Sequence, residues 1–293
     1  MKSFLSLFES TSTLYTHVVH THIPISTYNE EKKLDTMPRF TKHYYYIPAQ
    51  YIKNFYDLYL ETVKNSTIEE FVYVCEFSPM YSHLLFDIDF NFATYDADVS
   101  EDQVKIVVKL LEAGIRKYAP VLADVSCIVL KRSYAIKKIG SISTVYRRGL
   151  HIHFPFIISH YKLACMLKKD IMHYLETEWN SKFFDINHVN NLDDVIDDHI
   201  FCQRTLQLYK STRPEHYKDN CYIPFVATGY LKSIDFTDDM QIMRLVSKYD
   251  DKVRFLNEPD FPTMTFIDVD LHDDDVRYCD QEYELCGLSI QNE

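Results

Sequence analysis

Hydrophobic and polar positions alternate along Leu84-Leu85-Phe86-Asp87-Ile88-Asp89-Phe90. That period of two predicts a strand with Phe86, Ile88 and Phe90 on one face and Asp87 and Asp89 on the other. Further β-rich runs cover Phe71–Phe77, Val125–Leu130, Gly149–Ile158 and Val195–Phe201, with a hairpin partner for the last at Thr205–Tyr209 and an extra strand at Leu14–Val19. Helical spacing behind Pro48, through Ile52, Phe55, Leu58, Tyr59 and Val63, predicts a helix to about Lys64. Ser100 with Gln103 reads as a capping box, and Val104, Val107, Leu111 and Ile115 carry that helix to about Tyr118. Tyr161–Trp179 is amphipathic, with Leu163, Met166, Leu167, Ile171, Tyr174 and Leu175 inward.

From Leu84 to Phe201 the order is β-α-β-β-α-β, which predicts an α+β fold with an RRM-like (ferredoxin-like) layer and an N-terminal α/β elaboration. Past Asn220 the signals weaken to a short helix at Met240–Lys248 and a strand at Thr263–Val269. The expected organisation is a poorly ordered lead-in at 1–40, a body at 41–230 and an acidic extension at 231–293.

Composition supports a packed chain. Of 293 residues 46% are hydrophobic, with 23 Tyr and 19 Phe against only 5 Gly, which excludes wholesale disorder. The seven cysteines form no C-x-x-C pair, disfavouring a zinc ribbon or a complete disulfide framework and fitting a reducing compartment. Glu9 cuts the apolar run Phe4–Phe8 short of a signal-peptide core, and no stretch is long enough for a membrane span. A soluble intracellular protein is expected.

Charge is unevenly spread. Residues 234–293 hold 16 acidic and 5 basic side chains, so −11 of the net −12 lies there. Val125–Lys169 instead carries nine cations, Lys131, Arg132, Lys137, Lys138, Arg147, Arg148, Lys162, Lys168 and Lys169, and no acid. Such a segment is either a solvated face or a phosphate-facing surface.

Three segments offer chemistry. Asp87 and Asp89 on one strand face repel unless a cation lies between them, and paired carboxylates suit Mg²⁺ or Mn²⁺; a polar strand face in water is the plain alternative. Phe266-Ile267-Asp268-Val269-Asp270 repeats the pattern in the acidic region. Arg147-Arg148-Gly149-Leu150-His151-Ile152-His153 puts Arg147, Gly149, His151 and His153 on one face. That set fits a phosphate, through a cation, a gap and imidazole donors. It also fits a transition-metal pair or a histidine hydrogen-bonded in the core. The third is Val195-Ile196-Asp197-Asp198-His199-Ile200-Phe201, followed by Arg204, Lys210 and Arg213.

In this order the segments resemble the archaeo-eukaryotic primase superfamily, particularly its PrimPol-like branch and the primase part of viral primase-helicases. Phe86-Asp87-Ile88-Asp89-Phe90 looks like the first family motif, Gly149-Leu150-His151 the second and Asp197-Asp198-His199-Ile200-Phe201 the third. The resemblance spans about residues 70 to 215 and implies a DNA primase or primase-polymerase, a nucleotidyltransferase with two Mg²⁺ or Mn²⁺ ions on Asp87, Asp89 and Asp197. It implies that His151 contacts the incoming NTP or dNTP, beside Arg147 and Gly149, with Arg204, Lys210 and Arg213 serving triphosphate or template. Lys131, Arg132, Lys137, Lys138 and Arg148 would then line single-stranded DNA. Gln207 stands where many relatives carry Arg, no P-loop occurs, and no C-terminal zinc module is evident, so a separate helicase and replicative polymerase are expected, at the nucleus or a viral replication site. Two rivals differ in class: a His151/His153/carboxylate oxygenase or hydrolase, and a non-catalytic nucleic-acid-binding subunit.

Overall fold

The computed structural model describes residues 5–7, 17–22, 40–66, 73–77, 81–120, 125–139, 144–160, 166–167, 186–191, 194–196, 205–212, 221–247 and 265–267. These form a mixed α+β body of two antiparallel-rich sheets and, among the described residues, three α-helices. In chain order they are β1 (His17–His22), β2 (Phe40–Tyr45), α1 (Ala49–Asn65), β3 (Tyr73–Phe77), β4 (Tyr81–Phe92), α2 (Glu101–Tyr118), β5 (Ile128–Arg132), β6 (Ile136–Ile139), β7 (Thr144–His160), β8 (Thr205–Gln207), β9 (Tyr222–Ala227), α3 (Asp239–Val246) and β10 (Thr265–Ile267).

The smaller sheet runs β2-β1-β3-β8, antiparallel throughout. The larger is organised on β7, the longest strand at 17 residues. β4 follows one edge of β7 antiparallel, while β6, β5 and the parallel β10 pair in turn with the other, and β9 extends the sheet beyond β5. The β4–β7 register shifts between His83 and Leu84, which pair with Ile158 and Phe154. Pro155 has no N–H to donate and falls within that break.

Local chemistry accounts for the helices. At α2 the Ser100 hydroxyl accepts from the Gln103 amide at 3.3 Å, and the Gln103 side chain accepts from the Ser100 amide at 2.8 Å, completing the expected capping box. Pro48 is the N-cap of α1. Asp238 caps α3, accepting from the Gln241 amide at 2.9 Å.

Two cores cover the two faces of the large sheet. Phe86, Ile88 and Phe90, with Val129, Leu150 and Ile152, pack on Val104, Val108, Leu111 and Ile115 of α2. From the opposite face Ile128, Leu130 and Tyr222 join Phe55 and Tyr59 of α1 and Ile242, Met243 and Leu245 of α3. The alternation of β4 thus turns Asp87 and Asp89 towards the second core, away from α2.

Some expectations change. β8, in the segment at 205–209 expected to pair with 195–201, pairs with β3 in the smaller sheet, and its Leu206 is buried. β6 and β9 had no sequence signal strong enough to predict them. β1 extends beyond the Leu14–Val19 stretch to His22 and lies between β2 and β3. The expected helix at 161–179 lies outside the described residues apart from Met166 and Leu167, which are buried, as does most of the strand at 195–201. The second Asp-x-Asp, at 268 and 270, is also outside them. Among the described residues no helix is long and apolar enough to cross a membrane.

Burial pushes the Cys127 thiol up to about 12, with the Thr228 hydroxyl at 3.4 Å offsetting only part of this. Burial likewise lifts the Tyr59 phenol well above its usual range. Both groups stay neutral in the folded protein where the unfolded chain begins to ionise, from about pH 8.5 for a thiol and about pH 10 for a phenol. Stability should therefore hold below about pH 8.5 and decline as pH rises towards 12. Urea midpoints at pH 8, 9.5 and 11 measure this; a midpoint that rises with pH contradicts it.

Candidate functional site

The site follows from one antiparallel register. β4 and β7 pair Asp87 with His151, Asp89 with Gly149 and Asn91 with Arg147. Paired positions point to the same face, so the acids of one strand meet the cation and imidazole of the other. Arg147 Nη1 lies 2.6 Å from Asp89 Oδ2, and His151 Nε2 lies 3.6 Å from Asp87 Oδ1. Asp89 and His151 are buried, at 5% and 4% exposure. Two carboxylates two residues apart on a strand repel each other; Arg147 supplies the compensating charge where burial makes it most costly to omit.

Gly149 is surrounded on that face. A Cβ there would meet the Tyr222 hydroxyl at 2.6 Å and Asp89 Oδ1 at 3.1 Å. Tyr222 comes from β9, two strands away; its ring stacks on His151 with centroids 3.6 Å apart and planes at 23°. Burial raises the Tyr222 phenol, the Arg132 charge lowers it in part, and Asp87 and Asp89 raise it further, so it stays protonated. Arg132, paired with Tyr222 across β5 and β9, holds its guanidinium 4.5 Å from the ring centroid. Its Nε and Nη1, and Nε of Arg147, are buried with no hydrogen-bond partner among the described residues.

Behind His151 runs a histidine pair. His153 Nδ1 and His83 Nε2 are 2.8 Å apart and both side chains are buried. His151 therefore faces Asp87 and His153 faces His83, so the two imidazoles of the H-x-H segment have different partners. A narrow cleft lined by Glu76, Leu130, Gln207, Tyr209 and Tyr222 runs along both histidines.

The outer edge of β4 is held by two segments: the start of the expected third motif at 195–196 and, unanticipated, Asn190. Asn190 Nδ2 donates to the Asp89 carbonyl at 2.9 Å and its Oδ1 accepts from the Asn91 amide at 3.0 Å. The Asp89 amide donates to the Val195 carbonyl at 2.7 Å, and Ile196 forms an antiparallel bridge with Ile88. The sequence held no signal for Asn190. Tyr222 could have been found only from the alternation of a six-residue strand interrupted by Pro224.

The remaining expected residues divide by face and by coverage. Arg148 points away from the carboxylates and donates to the Tyr95 and Ala97 carbonyls at 2.9 and 3.3 Å. Lys131 likewise pairs with Asp98 at 2.7 Å. Lys210, in the left-handed region at φ 59°, pairs with Asp239 at 2.5 Å. Gln207 donates to the Ser211 carbonyl. Lys137 and Lys138 lie on β6, whose Ile136 pairs with Arg147. Asp197, Arg204 and Arg213 lie outside the described residues.

The oxygen donors of Asp87 and Asp89 are of the hard type that Mg²⁺ and Mn²⁺ take, and the carboxylates share one face, so this pair fits such a cation. Among the described residues no three His, Cys, Asp or Glu side chains come together as a metal-ligand set.

Replacing Arg147 with Met strands the buried Asp89 charge, while the pair Asp89→Asn with Arg147→Met removes both. The single variant should lose about 2 kcal/mol, below the fully buried range of 3–5 because Arg147 is partly exposed, and the double variant should recover most of it. Urea denaturation of the three proteins, wild type, single variant and double variant, checks this; equal losses in single and double variants would refute it.

No curated protein matches the chain significantly. Residues 35–223, well over half its length, match the family model of the C962R protein N-terminal AEP domain, and the chain belongs to this family of archaeo-eukaryotic primase domains.

Proposed function

We propose that the chain is a DNA primase or primase-polymerase, joining NTPs or dNTPs on a single-stranded DNA template. The observation that carries this reading is the register that sets Asp87 against His151 and Asp89 against Gly149, with Arg147 on Asp89. Family membership supports the same reaction class.

In this reading Asp87 and Asp89 hold Mg²⁺ or Mn²⁺ with Asp197 as third carboxylate. The bridge of Ile196, the residue preceding Asp197 in sequence, to Ile88 of the strand that carries Asp87 and Asp89 supports that role. When bound, the ions supply charge neutralisation at the phosphorus and activation of the attacking 3′-hydroxyl. His151 and Arg147 then bind and orient the triphosphate oxygens, and the buried N–H groups of Arg147 and Arg132 that meet no acceptor among the described residues favour an anion at this face. Asn190 fixes the backbone that carries Asp89. Arg204 and Arg213, with Lys210 once released from Asp239, would serve triphosphate or template, and Lys137 and Lys138 the DNA backbone.

The chain at Ile196, β4, β7 and β5 lie side by side and antiparallel, which supports the RRM-like layer. The catalytic unit proposed at 41–230 contains every residue given a role in the reaction above and shares its second core with α3 beyond those bounds. A separate helicase and replicative polymerase, in viral DNA replication, would complete the system.

Labelled nucleotide supplied with unprimed single-stranded DNA, in Mg²⁺ and in Mn²⁺, should yield primers. The variant carrying Asp87→Ala and Asp89→Ala should lose about 10³-fold in rate, as expected for several kcal/mol of metal-borne stabilisation, with its circular dichroism unchanged. Undiminished synthesis by that variant rejects the assignment. DNA binding without incorporation under either metal favours the non-catalytic subunit instead.

A further inference from the structure

Tyr222 belongs to none of the three motifs, yet it lies in the middle of the site face. The cross-strand pairs explain how it gets there. Asp89 pairs with Gly149, Lys131 with Leu150, and Arg132 with Tyr222, so Asp89, Gly149, Arg132 and Tyr222 form one row across four strands. At about 4.8 Å per strand, a phenol on β9 reaches Gly149 on β7 only by lying flat over the sheet. It does so against the His151 imidazole, 3.6 Å between centroids. Its hydroxyl then ends where a side chain at 149 would begin, 2.6 Å from the Cβ position, with Asp89 Oδ1 3.1 Å from that same position.

We propose that Tyr222 is a positioning residue of the nucleotide site, matched to Gly149: its ring fixes the plane of the His151 imidazole, and its hydroxyl fills the space beside Asp89 that the glycine leaves open. This rests on the nucleotidyl-transfer reading above. The stack restricts rotation of the imidazole, so Nε2 stays turned towards Asp87. Glycine at 149 is then required by the neighbouring phenol, and not only by the approach of a phosphate. The two positions are coupled through one contact, and alanine at 149 displaces the phenol unless its oxygen is removed: Tyr222 Cζ, at 3.4 Å, leaves room for a methyl group.

The full-length chain is tested as wild type, Gly149→Ala, Tyr222→Phe, the double variant and Tyr222→Leu, reading thermal midpoint, nucleotide KM and kcat in primer synthesis, and the His151 ring-proton resonances. Gly149→Ala should lower the midpoint and raise KM at least about tenfold, because a misplaced binding group costs far more than its own contact. Adding Tyr222→Phe should recover most of both losses, with only the Asp89 Oδ1 contact at 3.1 Å remaining, a strong departure from additivity. Tyr222→Phe keeps the stack, so the ring-current-shifted His151 resonances should persist; in Tyr222→Leu they should move to ordinary positions as KM rises. If Tyr222→Leu does not fold, the other four proteins decide. A Gly149→Ala defect of the same size with Tyr or Phe at 222 overturns the matched pair, and an unchanged KM in a folded Tyr222→Leu overturns the positioning role. A wild type that binds no nucleotide overturns the reading beneath the proposal and the nucleotide role with it, while the midpoints alone still decide whether 149 and 222 are coupled.

Discussion

The β4–β7 register is the constraint on which the site depends. A strand presents its side chains at fixed intervals, so the pairing of Asp87 with His151 settles the partners of Asp89, Gly149, Asn91 and Arg147 together. A one-residue slip would turn the acids into the apolar core against α2 and the phenylalanines out of it. The hydrophobic cost of that error is large, because Phe86, Ile88 and Phe90 are all buried. The core beneath the sheet therefore enforces the arrangement of charges above it.

The same alternation divides Lys131, Arg132, Arg147 and Arg148, which the charge count alone treats as one surface. Arg147 reaches Asp89 on the site face, whereas its neighbour Arg148 is sent to the other face, where it ties down the 95–97 backbone. Lys131 and Arg132 part in the same way, one to Asp98 and the other to Tyr222. Adjacent positive residues on a strand are thus separate devices, one member of each pair bracing a loop and the other lying on the site face.

What could be read from the sequence was whatever depends on near neighbours. The capping box at Ser100, the helix behind Pro48 and the faces of Asp87 and Asp89 each need only a few residues, and each appears in the fold. What could not be read depends on distant pairing. β8 has the length and alternation of a hairpin arm but finds its partner in β3, some 130 residues earlier. β9 carries a proline and has only six residues, too little alternation to register, yet it delivers Tyr222. Asn190 acts through two backbone groups of β4, a role without any local pattern.

The position of the site between the sheet and the second core explains why its charges are so fully matched. Against bulk water a lone carboxylate on a strand costs little; at 5% exposure Asp89 needs its guanidinium, and Tyr222, pressed by burial and by both acids, remains a neutral phenol. A neutral hydroxyl beside Asp89 adds a dipole without adding charge, so the balance between two acids and the surrounding cations stays adjustable. If Arg147 is to engage an incoming anion as proposed, something positive would have to take its place on Asp89, so cation and anion would arrive as coupled events at this face. That coupling follows from burial and charge alone.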